Sequence, residues 1–71
     1  MRTKPIVLTT NTQYVICIIN EINVEIWING CCDYYGLITG ISDELLQVAD
    51  GFYVKALCVV KTYENIFKSH E

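Results

Sequence analysis

The residues best equipped for chemistry are four cysteines and one histidine: Cys17, Cys31, Cys32, Cys58 and His70. A cysteine nucleophile needs a base held beside it, and the single histidine falls in the polar C-terminal tail. A zinc site needs ligand pairs with two to four residues between them, and about four ligands in all. The adjacent pair Cys31-Cys32 does not supply that spacing, so no metal is expected. Asp43-Glu44 are neighbouring carboxylates beside a turn, most simply a solvated loop. Gly30, Gly36 and Gly40 lack the pattern and the lysine of a phosphate-binding loop. The chain is read as non-enzymatic, with no cofactor.

The cysteines also bear on compartment. An even number permits disulfides, but Arg2 and Lys4 precede only Ile6-Val7-Leu8 before the polar stretch Thr9 to Gln13. That run is too short for a secretory leader, so a cytoplasmic location with reduced thiols is expected. Cys17 and Cys58 lie in β-branched runs and act as small hydrophobes. No apolar run reaches membrane-spanning length.

With chemistry set aside, binding is left. Five Lys/Arg against eight Asp/Glu give a net charge of −3. Arg2, Lys4, Lys55, Lys61 and Lys68 are scattered, whereas nucleic-acid binders carry a basic stripe. Composition therefore speaks against nucleic acid, although folding could gather Lys55 and Lys61. Hydrophobic residues make up 52% of the 71 positions. A domain this small buries only about 60% of its unfolded surface. The apolar excess points to a homo-oligomer interface or a protein partner.

The elements that position these residues follow from periodicity. Ile22, Val24, Ile26 and Ile28 alternate with Asn23, Glu25, Trp27 and Asn29, the mark of a half-buried strand. Asn29-Gly30 follows as a hairpin turn. Tyr34 to Ser42 reads as a strand bent at Gly36 and Gly40. Ser42-Asp43-Glu44 turns the chain, Leu45 to Ala49 is a short strand, and Asp50-Gly51 turns it again. Phe52 to Lys55 pairs back, and Leu57 to Tyr63 closes the meander. Ahead of it, Ile6-Thr10 and Gln13-Ile19 read as a hairpin about Asn11-Thr12. The second arm, QYVICII, is compatible with a short helix, but its β-branched residues favour a strand. Met1 to Pro5 reads as a polar, mobile end, and Glu64 to Glu71 as a polar tail with one frayed helical turn.

The expectation is one all-β domain over residues 1–71. It is a bent antiparallel barrel of five to seven strands with its core at about 22–63, preceded by a short N-terminal hairpin or helix. Val24, Ile26 and Ile28 face inward and meet Ile38, Leu46, Val54 and Val59. Trp27 lies on the opposite face, covered by Ile6 to Leu8 or by another subunit. Tyr34-Tyr35 and Phe52-Tyr53 each send one ring outward. Trp27, Tyr34, Tyr35 and Tyr53 are the candidate partner-binding residues.

The stretch from residue 22 to 61 resembles the Sm-like family of SH3-like small barrels. Val24, Ile26, Ile28, Asn29-Gly30, Gly36, Ile38, Ile41 and Asp43 follow the order of that family's first motif. Tyr53-Val54-Lys55-Ala56-Leu57-Cys58-Val59-Val60 stands in the place of its second. The resemblance implies a barrel that forms rings or dimers through edge strands. It also implies single-stranded RNA binding in loops, here at Asp43 and Lys55, with Lys61 as added charge. The chain departs from the pattern at Lys55-Ala56, where the family has Arg-Gly, and at Asp43-Glu44-Leu45, which lacks the expected Asn and stacking aromatic.

Three functions are thus in play. The first is a self-associating, protein-binding module of the size and composition of a small bacterial or phage regulator or inhibitor. The second is an Sm-like RNA binder. The third is an oligomeric barrel holding a small ligand between subunits.

Overall fold

The structure, a computed structural model, describes residues 4–63. The expectations for Arg2, Lys68, His70 and the two polar ends lie outside the described residues. Seven strands, one α-helix and one 3-10 turn make up the described chain. β1 is Ile6–Leu8, α1 Asn11–Ile19, β2 Val24–Ile28 and β3 Cys31–Gly36. β4 is Ile38–Ile41, β5 Leu45–Val48, β6 Gly51–Val54 and β7 Val59–Thr62, with the 3-10 turn at Lys55–Leu57. The fold is mostly β, as expected, in two antiparallel sheets ordered β1-β7-β2-β3 and β4-β5-β6.

The favoured strand over Gln13-Ile19 is a helix instead. Its ends explain how a β-branched run becomes helical. Thr10 Oγ1 accepts from the Gln13 N–H at 3.2 Å, and Gln13 Oε1 accepts from the Thr9 and Thr10 N–H groups at 2.8 and 3.2 Å. This reciprocal capping box satisfies donors that an uncapped helix leaves open. At the far end Glu21 is left-handed at φ 53°. The Glu21 N–H reaches the Ile18 carbonyl at 3.3 Å and the Ile22 N–H the Cys17 carbonyl at 2.9 Å, a Schellman closure. Buried Cys17 and Ile22 supply its apolar contact. Tyr14 and Cys17 form the buried stripe of the helix, with Ile18 packed beside it. β1 consequently pairs not with residues 13–19 but with β7.

The expected closed barrel is not found: the meander divides into the two sheets. The break follows β3, where Tyr34 folds back along its own strand. Its hydroxyl donates to the Leu37 carbonyl at 3.0 Å, and a Cβ on Gly36 would meet that oxygen at 2.7 Å. Only glycine fits there. Asn29 (φ 53°) and Gly30 (φ 81°) are both left-handed, the type I′ hairpin that the Asn-Gly pair predicts.

The core lies between the inner faces of the sheets. Leu8, Val60, Ile26 and Tyr34 form one cross-strand row of the larger sheet. Ile38, Leu46 and Val48 oppose it, and Tyr14, Cys17 and Ile22 close one end. Val24, Ile26, Ile38 and Leu46 are buried as expected, while Ile28 is half-buried. Val54 and Val59 are not core; they are 43% and 45% exposed, and Val60 takes the inward phase. The cause is register: Val54 pairs with Leu45 while Tyr53 pairs with buried Leu46, and Val59 pairs with Trp27 while Val60 pairs with buried Ile26.

Candidate functional site

Trp27 lies on the outer face of the four-stranded sheet, as the phase of β2 requires. Register places its neighbours. Val7, Lys61, Glu25 and Tyr35 form one straight row across all four strands, and Val59, Trp27 and Cys32 form the next. Directly paired residues of an antiparallel ladder share a face, so both rows point outward. Lys61 Nζ stands 4.4 Å from the Trp27 ring centroid, a cation–π contact. Trp27 Nε1 donates to Glu25 Oε1 at 2.9 Å. The indole therefore has its nitrogen satisfied and one ring face covered by its own sheet.

The rest of this face is apolar and open. Tyr35 is 66% exposed, with Val7 and Val59 near half. Beside Trp27 a shallow groove of about 270 Å³ runs between Asn29, Leu57, Val59 and Lys61. The expected cover from Ile6 to Leu8 does not lie over the indole, because that segment extends the same sheet as β1.

Tyr34 and Tyr53 face the other way. Their ring centroids are 6.1 Å apart, and Tyr53 Oη donates to Asp33 Oδ2 at 2.6 Å. The pairing of β2 with β3 slips between Ile26 and Trp27, which leaves Asp33 as an extra bulge residue. That bulge aims its carboxylate at β6. The bond to Asp33, aided by burial, pushes the Tyr53 phenol up to about 12. Of the expected aromatics, then, Trp27 and Tyr35 share the outer face, while Tyr34 and Tyr53 join the two sheets.

The lysines separate in the same way. Lys55 Nζ donates to Asn11 Oδ1 at 2.7 Å, to the Ser42 carbonyl, and to the Asp43 carbonyl at 3.3 Å. It also stands 5.7 Å from the Tyr14 ring centroid. All three ammonium protons have acceptors, so Lys55 clamps the start of α1 to the loop between β4 and β5. Asp43 takes part through its carbonyl, and its side chain is exposed. Lys55 and Lys61 are not gathered into one patch.

Sequence reasoning missed Tyr14, whose hydroxyl donates to the Leu8 carbonyl at 3.2 Å. Burial above all, then Cys58 and Cys17, raises its phenol above the ordinary value. It also missed Val59 as a neighbour of Trp27. The alternation that placed Trp27 outside placed Glu25 there too; the phase of the run Leu57 to Val60 carried no such signal. No disulfide joins the four cysteines, and burial pushes the Cys58 thiol up. Among the described residues no cluster of three or more His, Cys, Asp or Glu could hold a metal ion. None of the described helices is long and apolar enough to cross a membrane. No protein-family model matches the chain, and neither a curated protein nor a solved structure does.

Proposed function

We propose that this chain is a non-enzymatic interaction module, a small open barrel of SH3-like, Sm-like plan that self-associates and binds protein. The observation that carries this reading is the outer face of the four-stranded sheet. It presents Trp27, Val59, Val7 and Tyr35 side by side, partly exposed, with a single opposite-charge pair among them. Trp and Tyr are the residues that protein interfaces are enriched in. The plan is supported by the antiparallel runs β2-β3 and β4-β5-β6, the bend that separates them, and the return of β7 onto β2.

One detail favours the face over the RNA reading. RNA binding in the β4–β5 loop calls for a cation free to meet phosphate, and Lys55 is committed to three protein oxygens.

The test places a photo-crosslinking amino acid at Val59, with Thr12, exposed on α1, as control position. The interaction reading expects protein adducts at position 59 and none at 12. Equal yields at both positions, or none at either, would overturn it. The adduct mass tells a second copy from a different protein.

A further inference from the structure

The outer face is self-complementary, and we infer that its partner is a second copy of this chain, packed face to face about a two-fold axis running between β7 and β2. This inference rests on the interaction reading above and names the occupant.

The argument starts from the row Val7, Lys61, Glu25, Tyr35. Across the strands it reads apolar, positive, negative, apolar. A two-fold axis lying in the interface, parallel to the strands and midway between β7 and β2, exchanges the two halves of the row. Lys61 then lies over Glu25 of the copy, and Glu25 over its Lys61. Val7 meets Tyr35, and Tyr35 meets Val7. The same axis treats the next row consistently, because Val59 and Trp27 are direct partners across those two strands. Each Trp27 ring comes over the Val59 of the other copy. Every charge meets its opposite and every apolar residue an apolar one, as an isologous interface requires.

Other positions of the axis lose this match. Moved half a strand spacing, onto β2, it would lie Glu25 on Glu25 and set Lys61 against Tyr35; moved a full spacing, it would set Glu25 against Tyr35 and leave Lys61 without an opposite charge. Moved half a spacing the other way, onto β7, it would lie Lys61 on Lys61. Like charges brought together cost several kcal/mol, so the charge pair fixes the register of the dimer. Two sheets packed this way sit about 10 Å apart with aligned strands. Four strands about 4.8 Å apart and two rows about 7 Å apart give a flat footprint of only roughly 200–300 Å². An interface well below the usual ~800 Å² per partner is weak and transient, so dimerisation is expected only in concentrated solution.

The test is sedimentation equilibrium of wild type, E25K, K61E and the doubly exchanged E25K/K61E chain, with a melting curve of each in dilute solution. Wild type should dimerise. E25K and K61E should each raise the homodimer Kd at least about tenfold, while an equimolar mixture of the two recovers wild-type affinity as a heterodimer. The double variant keeps the in-sheet pair and should dimerise with itself but not with wild type, which holds the test open if a single variant folds poorly. A wild type that stays monomeric to about 1 mM would overturn the inference, as would charge variants that dimerise unchanged or fail to recover on mixing. If adducts at position 59 then prove to be another protein, the protein-binding part of the interaction reading stands and self-association through this face falls with the second copy. If position 59 yields no adducts, both fall.

Discussion

Lys55 and Lys61 each stand over an aromatic ring, Tyr14 in one case and Trp27 in the other. Around Lys55, α1, the β4–β5 loop and the 3-10 turn converge, and three oxygens hold the ammonium. Around Lys61 the neighbours are side chains of the same sheet, Glu25 and Trp27. The first lysine is a joint between elements distant in sequence. The second leaves its face open to a partner. An aromatic contact alone therefore does not mark a binding lysine; the acceptors around the ammonium decide what it is for.

The largest expected effect is at the joint. Tyr14 is buried, and its hydroxyl ties α1 to β1. Tyr14→Ala should cost about 3 to 5 kcal/mol, as aromatic truncations in cores do, read by chemical denaturation of dilute protein. A cost below about 1 kcal/mol would mean that α1 is not held through this corner.

The two lysines themselves come next. Lys55→Met leaves the Ser42 and Asp43 carbonyls and Asn11 without their donor. Hydrogen bonds to a charged group are worth about 1.5 to 3 kcal/mol, and partial exposure moves the expectation to the low end. Lys61→Met removes one exposed cation–π contact, about 0.5 to 1 kcal/mol. Equal losses at the two positions in dilute solution would erase the contrast between joint and face.

The smallest effect is expected at high pH, between the sheets rather than at either lysine. The Tyr53 phenol is raised in the folded protein to about 12, because its neutral form donates to Asp33. A group raised on folding stabilises below its unfolded value, near 10 for tyrosine, and loses that contribution as pH rises through the folded value. Stability should thus fall between about pH 10 and 12, and Tyr53→Phe should flatten that fall. The difference between absorbance titrations of wild type and Tyr53→Phe should place this phenol's ionisation at about 12. If the difference instead falls near 10, the bond to Asp33 does not persist in solution.

Much of the architecture was legible in local pattern. Val24 to Ile28 alternates so cleanly that the burial of Ile26 and the outward face of Trp27 follow from period two alone. Asn29-Gly30 fixed one hairpin through backbone preference; the second was legible at its place, but it turns at Ala49-Asp50, and Gly51 is already the first residue of β6, paired with Val48. Residues 13–19 were misread because β-branched composition outweighed the signal at their ends: Thr10 and Gln13 already spelled the capping box. The phase of Val54 and Val59 was not legible because an apolar run has no visible phase, and pairing with Leu45 and Trp27 turned both outward.

The sequence by itself determined the class of this protein: mostly β, turned sharply at Asn29-Gly30, with an indole on the polar side of its second strand. Those features depend on residues within a few positions of one another, where dihedral preference and side-chain alternation act directly. Only the tertiary structure decided that Lys55 closes on Asn11, 44 residues away. The same holds for Asp33 reaching Tyr53, 20 residues on, and for Val7, Lys61, Glu25 and Tyr35 standing in one row. Such contacts arise when strands from opposite ends of the chain pair, and their register is chosen by burial of Leu8, Val60 and Ile26 on the inner face. The outer row is brought into line by that choice, so no local pattern announces it.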